Sequence, residues 1–106
     1  MGRIVIVGYK PLPGKQNELE ALAKTHHARL AEQGLVTDRQ PVLMRARDGT
    51  LVEVFEWLSE AAMASAHDNP QIVAMWQEYT ACCTYVPLVD LPEFSDMFAA
   101  FTPIDG

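Results

Sequence analysis

Apolar and polar residues alternate along this chain with two different periods, and the changes of period mark its elements. Residues 3–10, RIVIVGYK, hold a β-branched run. Ile4, Val5, Ile6 and Val7 are apolar on both faces, which predicts a strand buried on both sides. Pro11-Leu12-Pro13-Gly14 ends that strand. Over residues 15–33 the period lengthens: Leu19, Ala23, His26 and Leu30 form the stripe of an amphipathic helix. Asn17 is its candidate N-cap and Gly34 its C′ glycine.

Residues 42–47 and 51–58 return to strand periodicity around Asp48-Gly49, a hairpin turn signal. Two registers are open. A two-residue loop sets Met44 opposite Glu53 and Val42 opposite Phe55; a three-residue loop with a bulge at Gly49 sets Arg45 opposite Glu53. In both, Leu51, Glu53, Phe55 and Trp57 share one face of the second strand, and Val52, Val54, Glu56 and Leu58 share the other. Ser59 caps a helix over residues 60–67. Pro70 breaks it, with Asp68 or Asn69 capping a restart in which Ile72, Trp76, Tyr79 and Cys83 form one stripe. Residues 84–89 read as a short last strand that Pro87 confines to a sheet edge. The tail, residues 90–106, carries Phe94, Met97, Phe98 and Phe101, too much apolar surface for a free end. It is expected to dock on its own domain or on a neighbour.

The order strand, helix, strand, strand, helix, strand predicts an α+β, ferredoxin-like βαββαβ fold: a four-stranded antiparallel sheet with two helices on one face. One domain spans residues 1–106. The prolines agree, because Pro41 opens the second strand and Pro87 interrupts the fourth, the two edges of that sheet. The face without helices would expose a large apolar patch, so a homodimer meeting through its open sheet faces is expected.

Composition narrows the partners. The net charge is −6, from 8 basic and 14 acidic residues, which argues against nucleic acid. Arg45 with Arg47 is the one local basic pair suited to an anion. No run approaches the ~20 apolar residues of a membrane span, and the N-terminal apolar run is too short for a signal peptide. The adjacent Cys82-Cys83 read as reduced thiols packed at a helix end. A cytoplasmic location follows as an expectation.

Residues 51–79 gather both tryptophans, His67, Glu53 and Glu56. Within them VFEWLSEAAMASAHDNPQ, with Glu56, Trp57, Ser59, His67 and Pro70, resembles the strand-to-helix passage of the dimeric α/β-barrel superfamily, which includes antibiotic biosynthesis monooxygenase-like and stress-responsive barrel proteins. The opening IVGYKPLPGKQNELEAL is similar to the first strand and Pro-Gly turn of that superfamily. The resemblance covers residues 3–89. It implies a homodimer and, among its enzymes, cofactor-free oxygenation of a small aromatic substrate. Haem-degrading relatives place the iron-binding His after a Trp and an Asn on the first strand; here His67 precedes Trp76 and residues 3–10 contain no Asn.

Such an oxygenase needs an apolar pocket and a base that forms the substrate anion. Phe55, Trp57, Trp76 and Tyr79 are the candidate walls, and His67, His26 or Glu53 the candidate base. No cofactor is expected. No metal-ligand spacing, nucleophile elbow or phosphate loop is present. Each candidate has a plainer role. Trp76 and Tyr79 suit the core, and His26 suits a core histidine bonded to a backbone carbonyl. His67 suits a group securing the helix break. Glu53 and Glu56 suit a solvated rim or pairs with Arg45 and Arg47. The alternative function is a non-catalytic homodimer that binds a small molecule.

Overall fold

The β-branched opening does form a strand, and it becomes the spine of the sheet. The computed structural model describes residues 2–105; Met1 and Gly106 lie outside the described residues. Strand β1 (Arg3–Pro11) pairs antiparallel with β3 (Leu51–Trp57), bringing Val5 beside Phe55, Val7 beside Glu53 and Tyr9 beside Leu51. On the far side of β1 lies β4 (Cys83–Val86), and on the far side of β3 lies β2 (Val42–Arg45). Helices α1 (Gln16–Glu32), α2 (Glu60–Ala66) and α3 (Pro70–Cys82) complete the α+β, ferredoxin-like arrangement. The first and third strands are inside, as expected. The sheet nevertheless has five strands rather than four, in the order β4-β1-β3-β2-β5. The tail returns as β5 (Thr102–Pro103) and pairs with Met44 and Arg45, so β2 is not an edge.

Neither expected hairpin register holds. The loop is Arg47-Asp48-Gly49, closed by Ala46 N–H donating to Thr50 O at 2.8 Å. Asp48 Oδ1 accepts from Thr50 N at 2.9 Å, and Gly49 takes φ 92°, a left-handed value that suits glycine. Leu43 therefore faces Glu53, and Arg45 faces Leu51.

The stripe of α1 is buried as expected: Leu19, Ala23, His26 and Leu30. Its N-cap is Lys15, without a side-chain cap, and not Asn17. Ser59 Oγ caps α2 by accepting from Ala62 N at 3.0 Å. The restart is capped by Asn69, whose Oδ1 accepts from Gln71 N and Ile72 N. Asn69 Nδ2 also donates to Gln33 Oε1 at 3.1 Å, which ties the break to the end of α1. The buried stripe of α3 is Ile72, Met75, Tyr79 and Cys82; Cys83 has already passed into β4. No helix among the described residues is long and apolar enough to cross a membrane.

The tail docks on its own domain. Leu91 is buried with Ala46 and Val52, and Val86, Leu88 and Phe101 pack around them. This small second core covers part of the sheet face opposite the helices. A Cβ on Gly8 would lie 3.0 Å from the Val86 side chain and carbonyl oxygen, so a larger residue there would have to push Val86 aside by a few tenths of an ångström. Glu93 pins the tail to the hairpin, its Oε2 accepting from Arg47 N at 2.7 Å. That removes the expected anion site: Arg47 pairs with Glu93 and Asp96, and Arg45 pairs with Glu20. Met97 and Phe98 remain 91% and 84% exposed.

Candidate functional site

Between the helices and the sheet lies a cavity of about 450 Å³. Alternation on β1 sends Val5, Val7 and Tyr9 into it, and alternation on β3 sends Phe55 and Trp57. Helix periodicity brings His26 from α1, and Trp76, Tyr79 and Thr80 from α3. Met63 and His67 close it from α2 and its C-terminal cap, and Tyr85 from β4. All four expected wall residues (Phe55, Trp57, Trp76 and Tyr79) line this one cavity.

His67 is exposed and its ring lies 5.0 Å from that of Trp76. It does not secure the helix break, a task that falls to Asn69. His26 is 3% exposed and held by aromatic edges, with Phe55 at 5.2 Å and Tyr79 at 5.5 Å, both nearly perpendicular. Its Nδ1 lies 2.8 Å from Glu53 Oε1, not near a backbone carbonyl as the plainer reading expected. The approach is angled, so it is a close electrostatic contact and not a linear hydrogen bond.

Glu53 is not at a solvated rim and has no arginine partner. It is buried to 1% exposure, and its Oε1 also accepts from the Tyr9 hydroxyl at 2.9 Å. It stands behind Tyr9 and His26 and outside the cavity wall. Glu56, on the other face of β3, accepts from Thr37 Oγ1 at 2.8 Å and pairs with Arg39 at 3.0 Å. The Thr37 hydroxyl, followed by Arg39, holds the Glu56 carboxyl below its ordinary range. It takes no part in the cavity.

Two buried phenols stand beside His26. Tyr9 and Tyr79 stack with ring centroids 4.8 Å apart. Burial, and then the charge of Glu53, pushes both hydroxyls far above the usual tyrosine range, so both remain neutral phenols. The Tyr79 hydroxyl is buried without a hydrogen-bond partner. Tyr9 is the residue that sequence reasoning missed. Its place on β1, alternating with Val5 and Val7, is the signal that could have found it. Tyr85, Met63 and Thr80 were missed as well, and none of them carries a comparable signal. No cluster of three or more metal-ligating side chains occurs among the described residues.

No protein-family model matches the chain, and no curated protein matches it. Among solved structures it is similar to SnoaB, a cofactor-independent oxygenase from Streptomyces nogalater. The TM-score is 0.64 at 21% identity, over 78% of this chain and 85% of that one. At that identity the likeness establishes the fold alone.

Proposed function

We propose that the protein is a cofactor-independent monooxygenase acting on a small aromatic substrate. The observation that carries this reading is the cavity itself. It has a volume suited to one small ligand and apolar aromatic walls, with two imidazoles among them. The fold shared with a cofactor-independent oxygenase supports it. The chemistry asked of the protein is modest. A base removes a proton from an activated ring methylene, and the resulting anion is electron-rich enough to react with dioxygen. One oxygen atom becomes the new ring carbonyl, and the other leaves as water with the two methylene hydrogens. Apolar walls exclude water that would otherwise stabilise and quench the anion.

In this reading His67 and His26 are the candidate bases, with Glu53 behind His26; Phe55, Trp57, Trp76 and Tyr79 bind the ring. The working form is a homodimer closed over the uncovered part of the sheet, where Ile4, Ile6 and Val42 stay about half exposed.

The test is oxygen uptake by the purified protein with anthrone-like and quinol substrates. Uptake matched by ketone formation, and lowered kcat/KM in His67→Ala and His26→Gln, is the expected result. Tight binding of these compounds with no uptake above buffer would instead favour the non-catalytic binder.

A further inference from the structure

Two imidazoles line the cavity, and the structure holds them very differently. His67 stands at the end of α2, exposed, with its ring against Trp76 and no side-chain hydrogen bond among the described residues. Nothing there selects which of its nitrogens carries the proton. His26 lies in the middle of α1, locked edge-on between Phe55 and Tyr79, with Nδ1 turned to Glu53 Oε1. The contact is angled, but an imidazole with Nδ1 2.8 Å from a carboxylate oxygen is favoured electrostatically to carry its proton there, which leaves Nε2 for the other side. The carboxylate is itself held, because the Tyr9 hydroxyl donates to the same oxygen from the neighbouring strand.

We propose that His26 takes the substrate's proton on Nε2, and that Glu53 is the positioning residue that fixes the ring for it. This rests on reading the cavity as an aromatic-substrate site. In the step, one C–H bond of an activated methylene breaks. The proton goes to Nε2, and the electron pair stays on carbon as a delocalised enolate. The imidazolium so formed sits against the Glu53 carboxylate, which balances its charge in a buried setting. The titratable groups around His26 are Tyr9 from β1, Glu53 from β3, Tyr79 from α3, Tyr85 from β4 and His67 from the end of α2. Glu53 alone among them is a carboxylate. His67 is then a binding group, part of the wall with Trp76.

The test separates proton removal from oxidation. Anthrone is held with the full-length protein in deuterated buffer without oxygen, and exchange of its methylene protons is followed by NMR. Wild type is expected to exchange well above buffer. His26→Gln lowers the maximal rate by about a hundredfold and Glu53→Gln by about tenfold or more. His67→Ala raises the anthrone concentration for half-maximal exchange and lowers the maximal rate far less than His26→Gln does. Loss of the maximal rate in His67→Ala with retention in His26→Gln overturns the proposal, as does no exchange in wild type. Nitrogen NMR of the histidine rings gives a second readout that does not depend on substrate. His26 is expected to carry its proton on Nδ1 in wild type and to lose that preference in Glu53→Gln. A bare Nδ1 in wild type overturns the positioning role, even if His26→Gln does not fold. A protein that exchanges anthrone protons but consumes no oxygen overturns the oxygenase reading alone.

Discussion

The two faces of this sheet come from the same strands and are put to opposite uses. On β3 every second side chain (Leu51, Glu53, Phe55, Trp57) meets the helices and is buried. The residues between them meet the tail or remain at the surface: Val52 is fully buried, Val54 and Glu56 only partly. The helix-covered face includes a polar unit, Glu53 with Tyr9 and His26, in dry surroundings beside an open cavity. The opposite face has an apolar patch half covered by its own C-terminus, with Ile4 and Ile6 at 56% and 46% exposure. Burial alone therefore does not mark function here. A buried carboxylate is expensive unless it is paired: Glu53 is held by Tyr9 and His26 beside the cavity, and the equally buried Glu93 of the tail is held by Arg47. Met63, His67 and Trp76, from the two helices around the break, contribute to the cavity wall.

The sharpest way to break this contrast is to hollow out the covered face. Phe55 packs against both His26 and Trp57. Phe55→Ala is expected to cost about 3–5 kcal/mol, the range for removing a buried aromatic ring. Chemical denaturation followed by tryptophan fluorescence measures it. A loss below about 1 kcal/mol would mean that the ring already borders empty space on most of its surface.

The open face should respond through assembly and not through folding. Ile6→Asp places a charge on a side chain already near half exposure, so the isolated chain should keep its circular dichroism. In a face-to-face dimer the same charge would be buried unpaired, and association should be lost. Light scattering on a sizing column is expected to give two chains for wild type and one for Ile6→Asp. The wild-type melting temperature should rise with protein concentration and that of the variant should not. A wild type that is already monomeric at micromolar concentration would falsify the homodimer reading.

Much of this architecture was legible in the residues. The long stripe of α1, the caps at Ser59 and Asn69, and the two inner strands follow from local pattern and from where proline is tolerated. The wall residues were legible for the same reason, since period 2 on β3 and period 3.6 on α3 place Phe55, Trp57, Trp76 and Tyr79 without knowledge of register. What failed was long-range or very short. The hairpin register depended on a three-residue loop with Gly49 left-handed, which Asp48-Gly49 alone does not specify. Strand β5 is two residues long and has no period to read. The pattern leaves Glu53 open between a candidate base and a rim acid because its partners come from other elements: Tyr9 from a strand 44 residues away and His26 from a helix.

The smallest expected effects set the two faces against each other on the pH scale. On the covered face, burial and then the Glu53 charge raise Tyr9 and Tyr79. The folded state holds those protons when the unfolded chain loses them near pH ~10. The stability this contributes is complete below that value and is lost as the pH rises above it. On the tail, the Arg47 backbone N–H bonded to Glu93, followed by Glu93's own backbone N–H and then the Arg47 charge, lowers the Glu93 carboxyl. Its contribution is present above the ordinary carboxyl range of about 4.3 and is lost as the pH falls through the folded value. Alkali should therefore open the core, and acid should loosen the tail. Ionisation of Tyr9 and Tyr79, read by near-ultraviolet absorbance in a Tyr85→Phe background that removes the half-exposed third tyrosine, is expected to coincide with loss of tryptophan burial and not to show a separate step near pH ~10. The Arg47 amide should keep its NMR shift well below the pH at which a free glutamate titrates, and in Glu93→Gln that dependence should vanish. If the Arg47 amide instead titrates together with the core signals in acid, the tail is not an independent cap, and the two sheet faces fold as one unit.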